Sequence, residues 1–363
     1  MPQYSDGLDD VVVAHTELSD VDGARGRLIV RGYPIEQLAG QRSFEAVLHL
    51  LWHGALPEPQ IERALVAELG RARVLAHHAL PELGAALRHD DAMAALRAGV
   101  ATLPASADER EQNLRVTGAI PVLFAAWWQR QQQRVAIAPD AALDHAADTL
   151  RLLGLANSAE SARALDAYWV TVADHGLNAS TFAARVVAST ESDTVSAVTA
   201  ALGALKGRLH GGAPGPVLDM LDAIGQPNQT RAYLESELAA GRRIMGMGHR
   251  VYRVRDPRAE VLERATRELQ RGNAEARLAF ARHVEQEATE LLRSRHPQRA
   301  LCANVEFFTA ILLEAIGIPR SLFTAVFAAG RVAGYCAHIA EQRRSGRILR
   351  PASRYVGPAP ADA

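Results

Sequence analysis

The chain has 363 residues, of which 48% are apolar, and a formal net charge of −1 at pH 7. This size and composition predict a large buried core and exclude disorder over most of the chain, and the balanced charge argues against an extended nucleic-acid surface. With only two cysteines, no signal-peptide pattern and no apolar run of about 18 residues, we expect a cytoplasmic protein without a membrane or nucleic-acid partner.

The first predicted element is a β-strand at residues 26–31, where apolar and β-branched residues lie between Gly26 and Gly32. It indicates a small N-terminal β-hairpin. Helical spacing of apolar residues then begins at residues 44–51 and returns at 85–101. Four further helices are predicted from the same spacing: 140–153, 158–173, 179–188 and 196–205.

The character of the sequence changes after Gly212, where prolines and glycines cluster. Two charged amphipathic helices are predicted next: 260–269 and 278–292. Residues 307–340 are strongly apolar, with breaks expected at Pro319 and Arg331, and the proline-rich C-terminal tail is expected to be extended. The pattern therefore predicts a mostly α protein whose second, smaller domain starts after Gly212.

Three segments carry residues suited to proton transfer at a carbon next to a carbonyl. LKGRLHGGAPG contains His210, GMGHRVYRVRDPR contains His249 and Arg258, and CANVEFFTA contains Glu306. One group must remove a C–H proton while others stabilise the oxyanion that forms, and histidine can act as donor or base near neutral pH. The ordered set indicates an enzyme. A histidine in a glycine-rich turn is also common as a buried structural residue.

Glu306 is the candidate base. Its apolar neighbours Val305, Phe307 and Phe308 predict burial, which raises the pKa of a carboxyl group. The alternative is a carboxylate at the start of a helix near Asn304, stabilised by the helix dipole. The residues alone leave both interpretations open.

Two arginines in the C-terminal region need anionic partners. Arg331 interrupts an apolar stretch, and Arg350 precedes Pro351 in the tail. A guanidinium in such surroundings pairs with an anion. That anion is either a substrate carboxylate or an ordinary ion-pair partner, Glu314 or Glu341.

Metal and nucleotide sites are disfavoured. A zinc site would need ligands at close spacing, which is not the pattern of His175, His210 and His249. The GMG run before His249 lacks the remaining glycine of a dinucleotide fingerprint, and no lysine follows it as a phosphate-binding loop requires. We therefore predict no metal site.

The chain resembles the citrate synthase family almost from end to end. The similar segments are GLDDVVVAHTELSDVDGARGRLIVRGYPIEQLA, FEAVLHLLWHGALP, DHGLNASTFAARVVAST, LKGRLHGGA, MGMGHRVYRVRDPR, NVEFFTAILLEAIGIP and RILRPASRYVGP. The resemblance implies a mostly helical, two-domain citrate synthase-like fold with a small N-terminal β-hairpin, an intertwined homodimer, and closure of the small domain over the substrates. It places residues 1–212 and 312–363 in the large domain and residues 213–311 in the small one.

The resemblance also implies an activity. Members condense oxaloacetate with the methyl carbon of acetyl-CoA and then hydrolyse the thioester, so a coenzyme A thioester is a co-substrate and no cofactor is tightly bound. By position, Glu306 would be the base, and three histidines would serve the substrates: His210 stabilising the enolate, His249 polarising the oxaloacetate carbonyl, and His175 contacting the oxo acid. Three arginines would hold the carboxylates: Arg258, Arg331 and, from the partner subunit, Arg350. Two would contact the CoA phosphates: Arg250 and Arg253.

Several positions depart from the family pattern. Glu306 stands where aspartate is usual, and its extra methylene displaces the carboxylate by about 1 Å, which can cost about a hundredfold in rate. Pro214 and Gly215 replace Asn-Glu, and Gly176 and Ala310 stand where Glu and Gly are usual. The sequence therefore leaves open three possibilities: an enzyme that uses acetyl-CoA, one that uses propionyl-CoA to make 2-methylcitrate, and a weakly active paralogue that binds CoA or dicarboxylate.

Overall fold

The protein is mostly helical, with a small antiparallel sheet near its N-terminus. The computed structural model describes residues 5–8, 11–156, 158–211, 214–249, 251–269, 274–299 and 301–358. Over these residues the strands are β1 Ser19–Asp22, β2 Arg27–Val30 and β3 Tyr33–Pro34, in the order β1-β2-β3. The predicted fold class is confirmed, and a third strand extends the predicted hairpin.

The hairpin is held on the helices by one face of β2. Ser19 pairs with Val30, and Asp22 with Arg27, across β1 and β2. Successive side chains of a strand point to opposite faces, and in β2 this alternation buries Leu28 and Val30. Leu28 and Val30, two of the apolar residues from which the strand was predicted, therefore anchor the hairpin.

Fifteen α-helices lie within the described residues: α1 Ile35–Leu38, α2 Phe44–His53, α3 Pro59–His78, α4 Ala92–Ala101, α5 Glu109–Gln131, α6 His145–Leu152, α7 Ala159–Val172, α8 Ala179–Ala188, α9 Thr194–Leu205, α10 Pro214–Ile224, α11 Thr230–Ala239, α12 Pro257–Glu268, α13 Ala274–Arg295, α14 Val305–Ile316 and α15 Phe323–Ser345. Many start at a polar residue whose side chain accepts a backbone N–H of the first turn. These caps include Ser43, Asp91, Asn178, Asp256 and Asn304.

Several predicted helix limits differ from the structure, and two of the differences have a local cause. The helix expected at residues 85–101 starts only at Ala92, because the Asp91 side chain accepts the N–H of Ala94 at 2.9 Å and caps the helix there. The break expected at Arg331 does not occur, and α15 continues through that residue. The guanidinium of Arg331 lies inside the protein, where its Nε donates to the Val172 carbonyl and its Cζ lies over the Phe327 ring.

Helix α15 is central to the core. It packs against α2, α5, α7, α8 and α9. The segment Arg320–Arg344 is long and apolar enough to cross a membrane by composition, but 94% of its most apolar window is buried inside the protein. The apolar character of this segment is therefore that of a helix surrounded by other helices.

The division into two domains stays a prediction. Its second boundary, between residues 311 and 312, lies inside α14, which is continuous to Ile316. Gly317 then ends the helix in a left-handed conformation, with a φ of +94°. A boundary at this helix end would leave α14 whole, and it suits the fold better than residue 311.

Gly334 of α15 offers a test of how tightly this core is packed. A Cβ added there would lie 2.3 Å from the Ala173 carbonyl oxygen, whereas one added at Gly203 of α9 would meet nothing closer than 3.9 Å. We expect Gly334→Ala to lower the free energy of unfolding by about 2 kcal/mol, because the backbones must separate. Gly203→Ala should raise it by up to about 1 kcal/mol through helix propensity. Denaturant unfolding checks both, and equal effects would contradict the close approach.

Candidate active site

His210 lies in the turn that follows α9. The N–H of Gly211 donates to the Leu205 carbonyl at 3.0 Å and closes the end of the helix. Thr324 Oγ1 donates to the Gly211 carbonyl at 2.9 Å, which fixes the turn against α15. Gly212, the second glycine of the pair, lies outside the described residues.

A buried hydroxyl holds the His210 ring. Its Nε2 lies 2.7 Å from Ser180 Oγ, and the Tyr335 hydroxyl donates to the same Oγ at 2.7 Å. Asn178 Oδ1 accepts two backbone N–H groups at the start of α8, both at 3.1 Å. Burial, and after it the charge of Arg331, lower the pKa of His210 to about 4. The ring is therefore neutral at pH 7 and able to act as a hydrogen-bond donor.

His249 lies in the loop between α11 and α12. Its Nδ1 accepts the backbone N–H groups of Val251 and Tyr252, each at 3.0 Å. A neutral imidazole whose Nδ1 accepts carries its proton on Nε2, so this ring presents an N–H donor. Burial, followed by the charge of Arg258, lowers the pKa of His249 to about 4.

His175 packs edge to face against the ring of His249. Its ring centroid lies 5.5 Å from that of His249, and its Nε2 is 3.2 Å from the Tyr252 hydroxyl. Burial, together with the positive charges of Arg258 and Arg331, lowers the pKa of His175 well below its usual value. Two neutral imidazoles and a phenol thus lie together near two guanidinium groups.

Arg258 is buried in the first turn of α12. Asp256, the N-cap of that helix, binds the guanidinium through two contacts, Nε to Oδ1 at 2.9 Å and Nη2 to Oδ2 at 2.7 Å. Such a forked pair fixes the orientation of the guanidinium plane. Asp256 Oδ2 also accepts the N–H of Val305 at 3.2 Å, so Arg258 is tied to the start of α14.

Glu306 lies in the first turn of α14 and is half-buried. Asn304 caps this helix by accepting the Glu306 N–H at 3.0 Å, and its side-chain amide donates to the Gly248 carbonyl at 2.9 Å. The segment of the candidate base is therefore joined directly to the loop of the second histidine. Burial raises the pKa of Glu306 to about 7, against the lowering effects of Arg258 and Arg331. The residue is thus both a helix-start carboxylate and an acid with a raised pKa.

Arg331 lies buried in the middle of α15. Its Nε donates to the Val172 carbonyl, and its Cζ lies 4.7 Å from the centroid of the Phe327 ring. Burial lowers the pKa of Arg331. The two acidic residues considered as ion-pair partners are bound to other arginines: Glu314 to Arg277 and Arg320, and Glu341 to Arg185.

The two buried arginines connect the candidate residues electrostatically. Arg331 lowers the pKa of three of them: His210, His175 and Glu306. Arg258 acts on an overlapping set: His249, His175 and Glu306. Charge interactions weaken with distance, so these shared effects indicate a single cluster of three neutral imidazoles, one carboxyl group and two fixed positive charges.

Two of the other predicted arginines, Arg350 and Arg253, lie outside this buried cluster. Arg350 is exposed on the extended tail. Arg253 is exposed beyond His249, and its backbone N–H donates to the Gly23 carbonyl at 2.8 Å. Arg250 lies outside the described residues. A surface cavity of about 520 Å³ beside Arg253 is lined by further arginines: Arg255, Arg293 and Arg299.

A second cavity, of about 700 Å³, lies between α6, α7 and α12, away from these residues. Its lining mixes both signs of charge, with Glu45, Asp166 and Arg264 among the residues. The cluster described above, and not cavity size, therefore locates the candidate site. Within the described part of the chain, no group of three or more His, Cys, Asp or Glu side chains is placed to hold a metal ion.

The sequence reasoning missed the residues that orient this site: Ser180, Tyr252, Asp256 and Tyr335. Asp256 carried a readable signal, because an Asp before a proline predicts a helix N-cap. Tyr335 carried none, since it lies on an apolar helix 155 positions from Ser180. That contact exists only once α8 and α15 pack together.

Two departures from the family pattern have local explanations. Gly176 has a φ of +61°, a left-handed conformation that glycine adopts without steric cost. Helix α10 begins at Pro214, a position where the missing N–H of proline leaves no helix hydrogen bond unmade. Both residues therefore fit the backbone that surrounds them.

The chain is similar to known proteins over nearly its whole length. The family model for the citrate synthase C-terminal domain matches residues 7–352. The chain is 39% identical to the citrate synthase of Haloferax volcanii, over 97% of this chain and 95% of that protein. It is 35% identical to a 2-methylcitrate synthase of Mycobacterium tuberculosis, over 98% and 91%. The solved ternary complex of carboxymethyl coenzyme A and oxaloacetate with the citrate synthase of Thermoplasma acidophilum has a TM-score of 0.89 at 29% identity, covering 99% of this chain and 98% of that chain.

Proposed function

Because the chain belongs to the citrate synthase family of condensing enzymes, we propose that it joins acetyl-CoA to oxaloacetate and hydrolyses the thioester, giving citrate and CoA. The observation that carries the proposal is Glu306, an acid whose pKa is raised to about 7 near two buried guanidinium groups, on a helix whose N-cap Asn304 is hydrogen-bonded to the loop of His249. A general base works best when its pKa lies near the working pH. The complex of the Thermoplasma relative with a CoA analogue and oxaloacetate supports this choice of substrates.

In the first step, Glu306 removes a proton from the methyl group of acetyl-CoA, and His210 donates a hydrogen bond to the thioester oxygen. The Ser180 hydroxyl proton has two acceptors within reach, Asn178 Oδ1 at 2.8 Å and His210 Nε2 at 2.7 Å. Because Asn178 Oδ1 also accepts two backbone N–H groups, we assign this proton to His210 Nε2 for the reaction. The imidazole proton then lies on Nδ1, where it can stabilise the enolate oxygen.

In the second step, the enolate carbon attacks the keto carbon of oxaloacetate. His249 polarises that carbonyl through its Nε2–H and transfers the proton to the alkoxide as the carbon–carbon bond forms. Arg258 and Arg331 hold the two carboxylates, with Arg350 of the partner subunit completing the clamp. Water then attacks the thioester carbonyl and gives one proton back to His249, the carbon–sulfur bond breaks, and the proton held by Glu306 passes to the sulfur, so that CoA leaves as the thiol and both groups return to their starting states.

Coenzyme A and a second subunit complete this proposal. The cavity lined by arginines beside Arg253 suits the phosphate groups of CoA, because guanidinium groups match phosphate oxygens.

The extended tail exposes Ile348, Tyr355 and Val356, at 62%, 77% and 89% of their surfaces. Large apolar side chains on an extended segment favour docking on a partner, so we propose a homodimer in which the tail carries Arg350 into the partner's site. Closure of residues 213–311 over the substrates would then exclude water.

Propionyl-CoA is the competing acyl substrate, since a 2-methylcitrate synthase is among the similar proteins. One added methylene changes binding by about 1–3 kcal/mol in an apolar pocket. The ratio of kcat/KM for acetyl-CoA and propionyl-CoA therefore decides between the two products. A third possibility, a paralogue that binds CoA or dicarboxylate but turns over weakly, is motivated by the longer side chain of Glu306.

Release of free CoA thiol, with identification of the product by mass spectrometry, tests the proposal. We expect thiol release that requires both oxaloacetate and an acyl-CoA, together with citrate or 2-methylcitrate in equal amount. Absence of release with every acyl-CoA and 2-oxo acid pair would overturn the condensing activity.

The activity should have an acid limb near pH 7. Glu306 acts as a base only when it is ionised, and its pKa is about 7, so kcat/KM for the acyl-CoA should fall about tenfold for each pH unit below 7. His210 and His249, with pKa values of about 4, stay neutral across this range and add no second limb. Initial rates between pH 5 and 9 check the profile. A midpoint near 4 would contradict the assignment of Glu306.

A further inference from the structure

The turn that carries His175 is held on both sides by one hydroxyl. Ser19 Oγ of β1 donates to Asp174 Oδ2 and accepts the backbone N–H of Gly176 at 2.8 Å. Asp174 and Gly176 are the two chain neighbours of His175. The position of this imidazole therefore depends on a strand that precedes it by more than 150 residues.

The other oxygen of Asp174 leads into a buried polar network. His338 Nε2 lies 3.1 Å from Asp174 Oδ1, and Arg185 Nη1 lies 2.9 Å from His338 Nδ1. A guanidinium can only donate hydrogen bonds, so His338 Nδ1 is an acceptor. The ring proton therefore lies on Nε2, which donates a hydrogen bond to Asp174 Oδ1. Arg185 is itself held by Glu341 at 2.6 Å and by Gln342 at 3.0 Å.

This network lies entirely in the protein interior. Asp174 and His338 have no exposed surface, and Arg185 has 2%. Burying ionisable groups is costly, and a core of apolar residues is often more stable than a buried ionic network. Burial alone does not assign a role to the network, since a second buried network, around Arg73 and Asp148, lies elsewhere in the core. Its location is more informative, because one end of it forms the turn of His175.

Asp174 also interacts electrostatically with Arg331 of α15. Burial by itself raises the pKa of Asp174. The combined effects of His338, Ser19 and Arg331 lower this pKa by more, so the net shift is downward. The negative charge of Asp174 in turn favours the charged form of Arg331. The network thus supplies a fixed counter-charge to Arg331 as well as an anchor for His175.

The hairpin that carries Ser19 reaches the second oxo-acid histidine too. Gly23 lies in the turn of the hairpin, between β1 and β2. Its carbonyl accepts the N–H of Arg253 at 2.8 Å, in the loop that contains His249. A Cβ at Gly23 would lie 2.2 Å from the Val251 carbonyl oxygen, so the hairpin turn and this loop are in backbone contact. One element therefore contacts both histidine segments.

We propose that Asp174, His338 and Arg185 form a positioning network for the dicarboxylate half of the site, which sets His175 and Arg331 for oxo-acid binding. The inference rests on the proposed function, and it assigns Asp174 and His338 as positioning residues that act through His175 and Arg331. It predicts an effect on the oxo acid that the acyl-CoA does not share.

Substitution of His338 tests the network. His338→Leu removes the acceptor for Arg185 and the donor for Asp174, whereas His338→Gln keeps one carboxamide acceptor and one donor. Binding of oxaloacetate alone, measured by calorimetry, should weaken at least about tenfold in His338→Leu, because a small displacement of a binding group is costly. His338→Gln should stay within about threefold of the wild type, and KM for the acyl-CoA should stay within about twofold in both.

A matched control separates positioning from stability. His145 is also fully buried and also accepts from a buried arginine, Arg73 Nη1 at 2.9 Å, but it belongs to a separate network around Asp148. His145→Leu should lower the melting temperature as His338→Leu does while leaving oxaloacetate affinity unchanged. Should His338→Leu not fold, Ser19→Ala replaces it, and a several-fold loss of oxaloacetate affinity is expected there.

Equal oxaloacetate affinity in the wild type and His338→Leu would overturn the inference. So would parallel losses for oxaloacetate and acyl-CoA, or a loss in His145→Leu as large as that in His338→Leu. Because calorimetry needs no turnover, these outcomes differ from a failure of the proposed function. A wild type that binds oxaloacetate but releases no CoA thiol would remove the condensing activity and leave the positioning network supported.

Discussion

Glu306→Gln is expected to lower kcat by about a thousandfold, with KM for oxaloacetate nearly unchanged. General-base catalysis contributes about 10²–10⁴ in rate, and the amide keeps the size of the side chain while losing its basicity. Stopped assays of CoA thiol release measure the loss. Turnover equal to that of the wild type would contradict the role of Glu306 as base.

The same substitution should stabilise the protein at high pH. The pKa of Glu306 is raised from 4.5 to about 7 in the folded state, so ionising this carboxyl group destabilises the folded protein. The stability is fully present below pH 4.5 and is lost as the pH rises through 7. Glu306→Gln removes this cost, by about 1–3 kcal/mol at pH 8 and by nothing at pH 4.5. Thermal unfolding at the two pH values checks the difference.

Glu306→Asp tests whether the pocket is built for the longer acid. Asn304 and Asp256 fix the start of α14, so a shorter side chain cannot be compensated by moving the helix. We expect about a hundredfold loss of kcat, the cost of a displacement of about 1 Å. A large gain in turnover would instead show that the wild-type carboxylate is misplaced, and it would favour the weakly active paralogue.

The sequence predicted those elements whose signals are local. Helix α8 was placed at residues 179–188 with both limits correct, because Asn178 supplies a cap and one face is apolar. Helix α5 was missed. It is buried on nearly every side from Val116 to Trp127, so its sequence has no polar face from which a helical period can be read.

The candidate site shows the same difference between residues with a local signal and residues without one. Short sequence motifs indicated His210, His249 and Glu306 as candidates, because each motif places reactive groups beside turn or cap residues. The contacts that orient these groups join distant parts of the chain, such as His338 and Asp174, 164 positions apart. No local pattern encodes such a pair, since its members meet only through the packing of α15 on the turn after α7.

Neutral histidines are the common feature of the site and depend on burial beside fixed positive charge. His210 and His249 both have pKa values of about 4, with burial as the largest cause. In the proposed mechanism, a neutral imidazole donates one proton without first gaining another, and the buried arginines supply positive charge for the carboxylates of the oxo acid. The arrangement therefore separates proton transfer from charge stabilisation.

His210→Ala is expected to lower kcat by about a thousandfold, because a donor to a developing oxyanion contributes about 10²–10³ and the ring also orders the acyl group. Ser180→Ala should cost about tenfold, since the hydroxyl acts by holding His210 Nε2 at 2.7 Å. If Ser180 acts only through that ring, Ser180→Ala should have no further effect in the His210→Ala background. Steady-state kinetics of the two single variants and the double variant measure this coupling, and additive losses would show that Ser180 serves the substrate by another route.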